Sequence, residues 1–374
     1  PPADWICVPS KQNPSAKIQP VIDEHMAEMY DPQPTEEYWQ DVNGAYVTRV
    51  AALSERTLPA AQAAINKEVT AVVDEWETMG SPSDAKDMND LPPGTRVAKA
   101  KILLSEKDIE TDSPAYKARI IFQGCIVREK TEDGRWIIVD DSHDAYVLLA
   151  DHLAVRSLLS KNLEVPDHDL YTCDLSNAYL QATALGEQTF VVITPALIDQ
   201  MPLEYQAALR ALKNPVLPVK KAMYGRSRSG KDLDIKLEAV LEGMGMQRHG
   251  SLWKGHLDGL FIILAQYVDD MMVSACERGA SIFFGIFSKH VKLKPNQAGT
   301  LFEPLTRFCG VYYSLHRNAD GTKYIDISMS EYTSRIVQLY ELDTNKTLTP
   351  SLSLPDVPSP GPRGDTTSPL VHTP

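Results

Sequence analysis

The chain has 374 residues, 43% of them hydrophobic, and a formal net charge of -13. That is enough apolar material for two or three subdomains with their own cores, and there is no run of eighteen apolar residues to span a membrane. Five cysteines (Cys7, Cys125, Cys173, Cys276 and Cys309) lie far apart without a CxxC pair, which argues against a structural zinc and for reduced thiols in an intracellular compartment.

Acid is concentrated at the front. Residues 1–92 hold 16 Asp and Glu against 6 Lys and Arg, leaving only -3 of the net charge for residues 93–374. A nucleic-acid partner, which needs clustered Lys and Arg, is therefore not excluded. Basic residues gather in two stretches, Arg96, Lys99, Lys101, Lys107, Lys117 and Arg119, then Lys213, Lys220, Lys221, Arg226, Arg228 and Lys231. Either stretch taken alone reads as a solvated surface. The opening "PPADWICVPSKQNPSAK" lacks a basic start followed by an apolar stretch, so it does not read as a secretory signal.

In chain order, residues 1–59 form an acidic, polar, Pro-containing segment that reads as irregular. "LPAAQAAINKEVTAVVDEWETMGS" (58–81) predicts a helix, with Ala, Ile, Val and Trp76 at helical spacing and Gly80 as its stop. "RVAKAKILLS", "YKARIIFQGCIV" and "RWIIVDD" predict a small sheet. "DAYVLLADHLAVRSLLSKNL" (144–163) predicts a helix leading into the strand "DLYTCDL". "QTFVVITP" reads as a strand and "DLDIKLEAVLEGMG" as a helix. "GLFIILAQYVDDMMVSAC" reads as a hairpin, "GASIFFGIFSKHVK" as a helix, and "FCGVYYSLHRNADGTKYIDIS" as a second hairpin turning at "NADG". Ser330 is placed to N-cap a helix "EYTSRIVQLYEL". The Pro/Ser/Thr-rich tail from about 347 reads as disordered. The fold class is α+β.

The strongest chemical signal is "YVDD", Tyr267 to Asp270, between two apolar strands. Two adjacent carboxylates repel and raise one another's pKa, a cost that either a water-exposed turn or divalent cations can offset, since hard carboxylate oxygens suit Mg2+. A second "VDD" at Asp140 and Asp141, followed by Ser142, His143 and Asp144, reads as a loop end. In "LYTCDLSNAYL", Asp174 ends an apolar strand five residues before Tyr179. Carboxylates converging from separate strands are what a two-metal phosphoryl-transfer site requires.

"MYGRSRSGKD" nearly spells a phosphate-binding loop, with Gly225, Gly230 and Lys231 in place. The match fails twice. "LPVKKAMY" supplies Pro218 and two lysines where a strand belongs, and Asp232 stands where a Ser or Thr would ligate Mg2+.

At these residues the chain resembles the reverse transcriptases of copia-type retrotransposons. "YVDD" is similar to that family's active-site hairpin and "CDLSNAYL" to its first catalytic strand. "LPPGT…AKAKILL", "YKARIIFQG", "KKAMYGRSRSGKDL" and "FCGVYY" resemble further landmarks, in collinear order over roughly residues 60–350. The resemblance implies a right-hand polymerase with fingers (60–165, with a leading helix), a palm with an antiparallel sheet (166–320, with a fingers insertion at about 181–232) and a short thumb starting at 321–346. It implies that Asp174, Asp269 and Asp270, with the Leu175 carbonyl, hold two Mg2+ ions, for which Mn2+ can substitute. Lys117, Arg119, Tyr179 and Arg228 would bind the incoming nucleotide, and Phe308, Cys309 and Gly310 would grip the primer. Without the nearby Asp174, Tyr179 reads first as ordinary core packing, and Lys117 and Arg119 read as an exposed strand face.

Expected partners are an RNA or DNA template with its primer, dNTPs and other parts of a Pol polyprotein, in the cytoplasm (within a virus-like particle) or the nucleus, with no membrane. The chain departs from the family at Ser227–Leu233, where Arg228 replaces a Gln and Leu233 a Trp, and "SHDAYVLLAD" stands in place of "FSPVAK". The sequence reads as a fragment or relic of a larger polyprotein. A catalytically inactive nucleic-acid-binding relic, a P-loop-like NTPase and an acidic interaction scaffold using residues 1–92 are the alternatives.

Overall fold

The computed structural model describes residues 48–75, 77–107, 115–140, 145–296, 298–330 and 333. The acidic segment before residue 48, Trp76, the second half of the Asp140–Asp141 pair, the helix expected behind Ser330 and the Pro/Ser/Thr tail lie outside the described residues.

Along the chain run β1 (Thr48–Val50), α1 (Pro59–Thr70), β2 (Lys86–Asp87), β3 (Arg96–Lys107), β4 (Ala115–Phe122), β5 (Val127–Lys130), β6 (Trp136–Val139) and α2 (His152–Glu164). Next come β7 (Asp169–Thr172), β8 (Asp174–Leu175), β9 (Thr189–Val192), α3 (Pro195–Ile198), α4 (Leu203–Arg210), β10 (Pro215–Pro218) and α5 (Ser229–Gly243). The described part closes with β11 (Gln247–His249), β12 (Leu252–Leu257), β13 (Leu260–Tyr267), β14 (Asp270–Ala275), α6 (Glu277–Phe287), β15 (Leu293–Lys294), β16 (Glu303–Pro304), β17 (Arg307–Phe308), β18 (Val311–Arg317) and β19 (Lys323–Ser328). The architecture is mixed α+β.

Two sheets organise it. The first has the order β2-β10-β9-β3-β5-β6, with β1 and β4 also paired to the long strand β3. Only β3 and β9 run parallel there; the other named pairs are antiparallel. The second is antiparallel throughout, β11-β12-β13-β14-β7-β16. Its central strands are covered on both faces, which explains their unbroken apolar runs. Ile262 and Leu264 of β13 face a core with Leu233, Leu237 and Leu241 of α5 and Phe283, Phe284 and Phe287 of α6. Ile263 and Ala265 face the opposite way, onto Leu158 and Leu159 of α2 and Phe308 of β17.

Several elements differ from the sequence reading. The first helix ends as a regular α-helix at Thr70 and continues as one π-helical turn, Ala71–Glu75. The helical segment ends at Glu75 and not at Gly80, and Glu77 stands in the left-handed region at φ 46°. Gly80 serves a close crossing instead, its N–H donating to the Pro218 carbonyl at 3.0 Å. The helix expected from 144 begins only at His152, because the Asp151 carboxylate accepts from the Ala154 N–H at 2.7 Å and caps it there. The stretch "YKARIIFQGCIV" is two strands, β4 and β5. The strands β10, β11 and β12 and the helices α3 and α4 carried no clear periodic signal. The "NADG" turn is where the sequence puts it, with Gly321 at φ 85° and the Gly321 N–H on the Asn318 carbonyl.

The β18–β19 hairpin is bolted to the C-terminal end of α2, where helix carbonyls lack intrahelical partners. Lys323 donates to the carbonyls of Asn162, Val165 (2.6 Å) and His168 (2.9 Å), and Arg317 to those of Pro166 and His168 and to the Asp169 carboxylate. Beneath them His168 is buried, with Nδ1 3.1 Å from the Ser274 hydroxyl. That oxygen also accepts from the Asn162 amide at 3.0 Å. Burial pushes the His168 pKa down. Its contribution to stability is therefore complete above the unfolded histidine value of about 6.5 and is lost as pH falls through that value towards the lower folded one. Urea midpoints compared between the wild type and His168→Gln from pH 7.5 to 5 should converge on the acid side; parallel curves would refute this.

Candidate functional site

The β13–β14 hairpin turns through Val268 and Asp269, with Tyr267 paired to Asp270. A two-residue loop needs a positive φ, and here Val268 supplies it at φ 56°. A β-branched residue in that region is strained. Its side chain is nevertheless buried in the α5/α6 core, which pins the turn and leaves Asp269 and Asp270 facing solvent.

Asp174 reaches the same end of the sheet by strand register. β7 pairs with β14 so that Leu170 faces Ser274 and Tyr171 faces Val273. Continuing that register sets Cys173 across from Met271, whose sulfurs are 3.9 Å apart, and Asp174 across from Asp270. β8 and β14 do approach within 8 Å between Cα atoms. The Cys173 thiol responds to this: burial, then the nearby charges of Asp174 and Asp270, push its pKa far up. Leu175 is buried and pairs with Leu293.

Opposite Asp174 in the two-stranded β8–β15 ladder stands Lys294, its Nζ 2.9 Å from Asp174 Oδ2. The sequence reading missed it. The pair is 120 residues apart, and no local pattern in "HVKLKP" marks one lysine over its neighbours. Both residues line a cleft of about 490 Å³ whose wall also includes Cys173, Asn296, Phe302 and Glu303.

Among the described residues, no group of three or more His, Cys, Asp or Glu side chains is drawn together as a metal cage. Asp174 instead presents an oxygen to Lys294. The chemistry of the side chains still suits a hard divalent cation: Asp174, Asp269 and Asp270 are all exposed and offer carboxylate oxygens, while the nearby thiol is buried and held protonated.

Tyr179 sits in a 3-10 turn, Ala178–Gln181, and is 6% exposed. Its ring packs edge-on against Tyr224 at 5.3 Å between centroids. Tyr224, absent from the sequence reading, carries the Arg119 guanidinium 4.5 Å from its ring centre, and Arg119 lies 3.8 Å from the carboxylate of buried Glu68 on α1. A continuous line of contacts thus runs from Tyr179 through Tyr224 and Arg119 to Glu68. Burial pushes the Tyr224 hydroxyl pKa up to about 12, with Arg119 opposing the rise and Glu68, Asp269 and Asp174 adding to it. Burial likewise raises the Glu68 pKa against the pull of Arg119, the Ile120 N–H and Lys117. Lys117 and Arg119 share one face of β4, two residues apart, as an alternating strand dictates.

Arg228 turns elsewhere. Asp232, 1% exposed in the first turn of α5, accepts from Arg226 Nη1 at 2.6 Å, Arg228 Nε at 2.8 Å and the Leu185 N–H at 3.2 Å. The loop that nearly spells a phosphate site is closed by its own buried carboxylate. Phe308, Cys309 and Gly310 form the tight turn of β17 and β18. Cys309 at φ 48° and Gly310 at φ 81° are its two central residues, and Phe308 is buried beside Met272 of β14. Cys309 is exposed at the tip.

Among the described residues no helix is long and apolar enough to cross a membrane. No protein-family model matches the chain, and no curated protein matches it.

Proposed function

We propose that this chain is a metal-dependent nucleotidyltransferase of the reverse-transcriptase type, extending a primer 3′-hydroxyl with dNTPs on an RNA or DNA template. The observation that carries the reading is the β7–β14 register, which directs Asp174 towards Asp270 beside the Val268–Asp269 turn. A carboxylate from β8 and an adjacent pair from the β13–β14 turn, almost 100 residues further on, lie towards the same end of the second sheet, with Asp174 also lining a cleft. The collinear resemblance to copia-type enzymes supports the same assignment, with the second sheet as palm and the first as fingers.

Asp174, Asp269 and Asp270, with the Leu175 carbonyl, would hold two Mg2+ ions. Bound there, such ions would supply Lewis acidity for activating the primer hydroxyl and positive charge for the departing pyrophosphate. The chain's own groups then bind and orient. Lys117 and Arg119 on β4 face the triphosphate, with Arg119 braced by Glu68 and the Tyr224 ring; a guanidinium suits this because its fork grips two phosphate oxygens. Tyr179 and Tyr224 form an aromatic floor under the sugar. The Cys309–Gly310 turn, anchored by Phe308 next to β14, supports the primer end. Arg228 keeps the wall behind that floor rigid through Asp232.

Primer extension on an RNA template with Mg2+ tests this. Asp269→Asn should lower the rate by about 10³-fold, corresponding to several kcal/mol of lost charge stabilisation. Asp140→Asn, in the other "VDD", should leave it unchanged. Equal activity of Asp269→Asn and wild type would remove the mechanism. Template–primer binding without extension by the wild type would assign the chain as an inactive nucleic-acid-binding relic.

A further inference from the structure

We infer that Lys294 is a built-in placeholder for a divalent cation at Asp174, occupying the carboxylate before metal arrives and setting how much metal the site requires. This rests on the two-metal reading above.

The ion pair is delivered by the backbone. Lys294 and Asp174 are direct cross-strand partners in the β8–β15 ladder, and side chains so paired lie on the same face and interact. The register is held by Gln181. Its Oε1 accepts from the Lys292 N–H at 2.8 Å, while its Nε2 donates to the carbonyls of Lys292 at 2.9 Å and Ser176 at 2.7 Å. The Ser176 N–H closes the ring onto the Lys292 carbonyl at 3.0 Å. Gln181 is itself 5% exposed, so a buried side chain fixes where Lys294 emerges.

Stability does not account for the pair. Its side chains are 66% and 59% exposed, and such surface pairs contribute little to folding. What the ammonium does is electrostatic. It neutralises the Asp174 carboxylate, and it must be displaced or repelled when a dication binds the same oxygen. Lys292 is a close control: it lies two residues away, carries the same charge, and turns to Glu75 at 3.9 Å.

Mn2+ binding, read by loss of the free-ion electron paramagnetic resonance signal, tests the inference without turnover. Lys294→Gln should tighten Mn2+ binding about tenfold, Lys294→Arg should keep the wild-type affinity, and Lys292→Gln should stay within about twofold of it. Asp174→Asn should weaken binding in either background. If Asp174→Asn weakens binding but Lys294→Gln does not tighten it, or if Lys292→Gln tightens it equally, the placeholder role is overturned while the metal site stands. If neither Asp174→Asn nor Asp269→Asn alters Mn2+ binding, the two-metal reading falls, and this inference with it. Because Lys294 is exposed, the Lys294 variants should unfold at the wild-type urea midpoint, so an altered affinity reports charge and not damage.

Discussion

Asp232→Ala should destabilise the protein by about 3–5 kcal/mol, because it removes the buried carboxylate shared by two buried or half-buried guanidinium groups. Typical domains have only about 5–15 kcal/mol in total, so a large drop in the urea midpoint, or loss of soluble protein, is the expected result. Arg226 would suffer most. It is 6% exposed, and its Nε already lacks a partner. The sharper form of the test replaces all three residues with apolar ones of similar size. Removing a buried ion triad as a unit costs far less than orphaning its members, so Arg226→Met/Arg228→Met/Asp232→Leu should be clearly more stable than Asp232→Ala alone. If Asp232→Ala proves neutral, the triad does not lock the loop.

Gly225→Ala should cost about 2–5 kcal/mol, for two separable reasons. Gly225 has φ 84°, where a Cβ crowds the following carbonyl by roughly 1–2 kcal/mol. In addition, that Cβ would lie 2.2 Å from the Phe122 carbonyl oxygen, which adds roughly 1–3 kcal/mol of overpacking. The obstacle is backbone and cannot rotate away. Gly245 has nearly the same φ, 82°, with nothing within 4 Å of where its Cβ would stand, so Gly245→Ala should show only the first cost. The difference between the two variants, measured by chemical denaturation, isolates the contact. Equal losses would refute it. Gly124 meets the Gly225 carbonyl just as closely, and the Phe122 N–H donates to the Tyr224 carbonyl at 2.7 Å. This glycine-on-glycine crossing ties β4, with Lys117 and Arg119, to the segment carrying Tyr224 and leading into α5. Under the proposed function, a variant that survives here should lose nucleotide affinity as well as stability.

Local pattern was legible where burial imposed it. The run from Phe261 to Ala265 and the run from Met271 to Ala275 are apolar on nearly every residue because both sheet faces are covered, so the hairpin around Tyr267–Asp270 was visible without coordinates. The overextended helices failed for a local reason that periodicity does not encode. Val72 and Val73 keep an apolar spacing, yet the chain turns left-handed at Glu77. Likewise Tyr146 to Ala150 look helical, while Asp151 caps only the residues after it and the Ala150 N–H pairs with the Gln266 carbonyl. Asp232 is visible in the sequence only as the wrong residue for an Mg2+ ligand, without any sign of the two arginines that pair with it.

By itself the sequence determined most of the strands, the turn chemistry and the candidate carboxylates, since these depend on residues within a few positions of one another. Only the tertiary structure decided which side chains meet. It directs Asp174 towards Asp270, sets Lys294 against Asp174, Arg119 against Tyr224 and Gly225 against Phe122. Those pairings follow from strand register and close backbone crossings between segments some 100 residues apart, and no local propensity records where such segments dock.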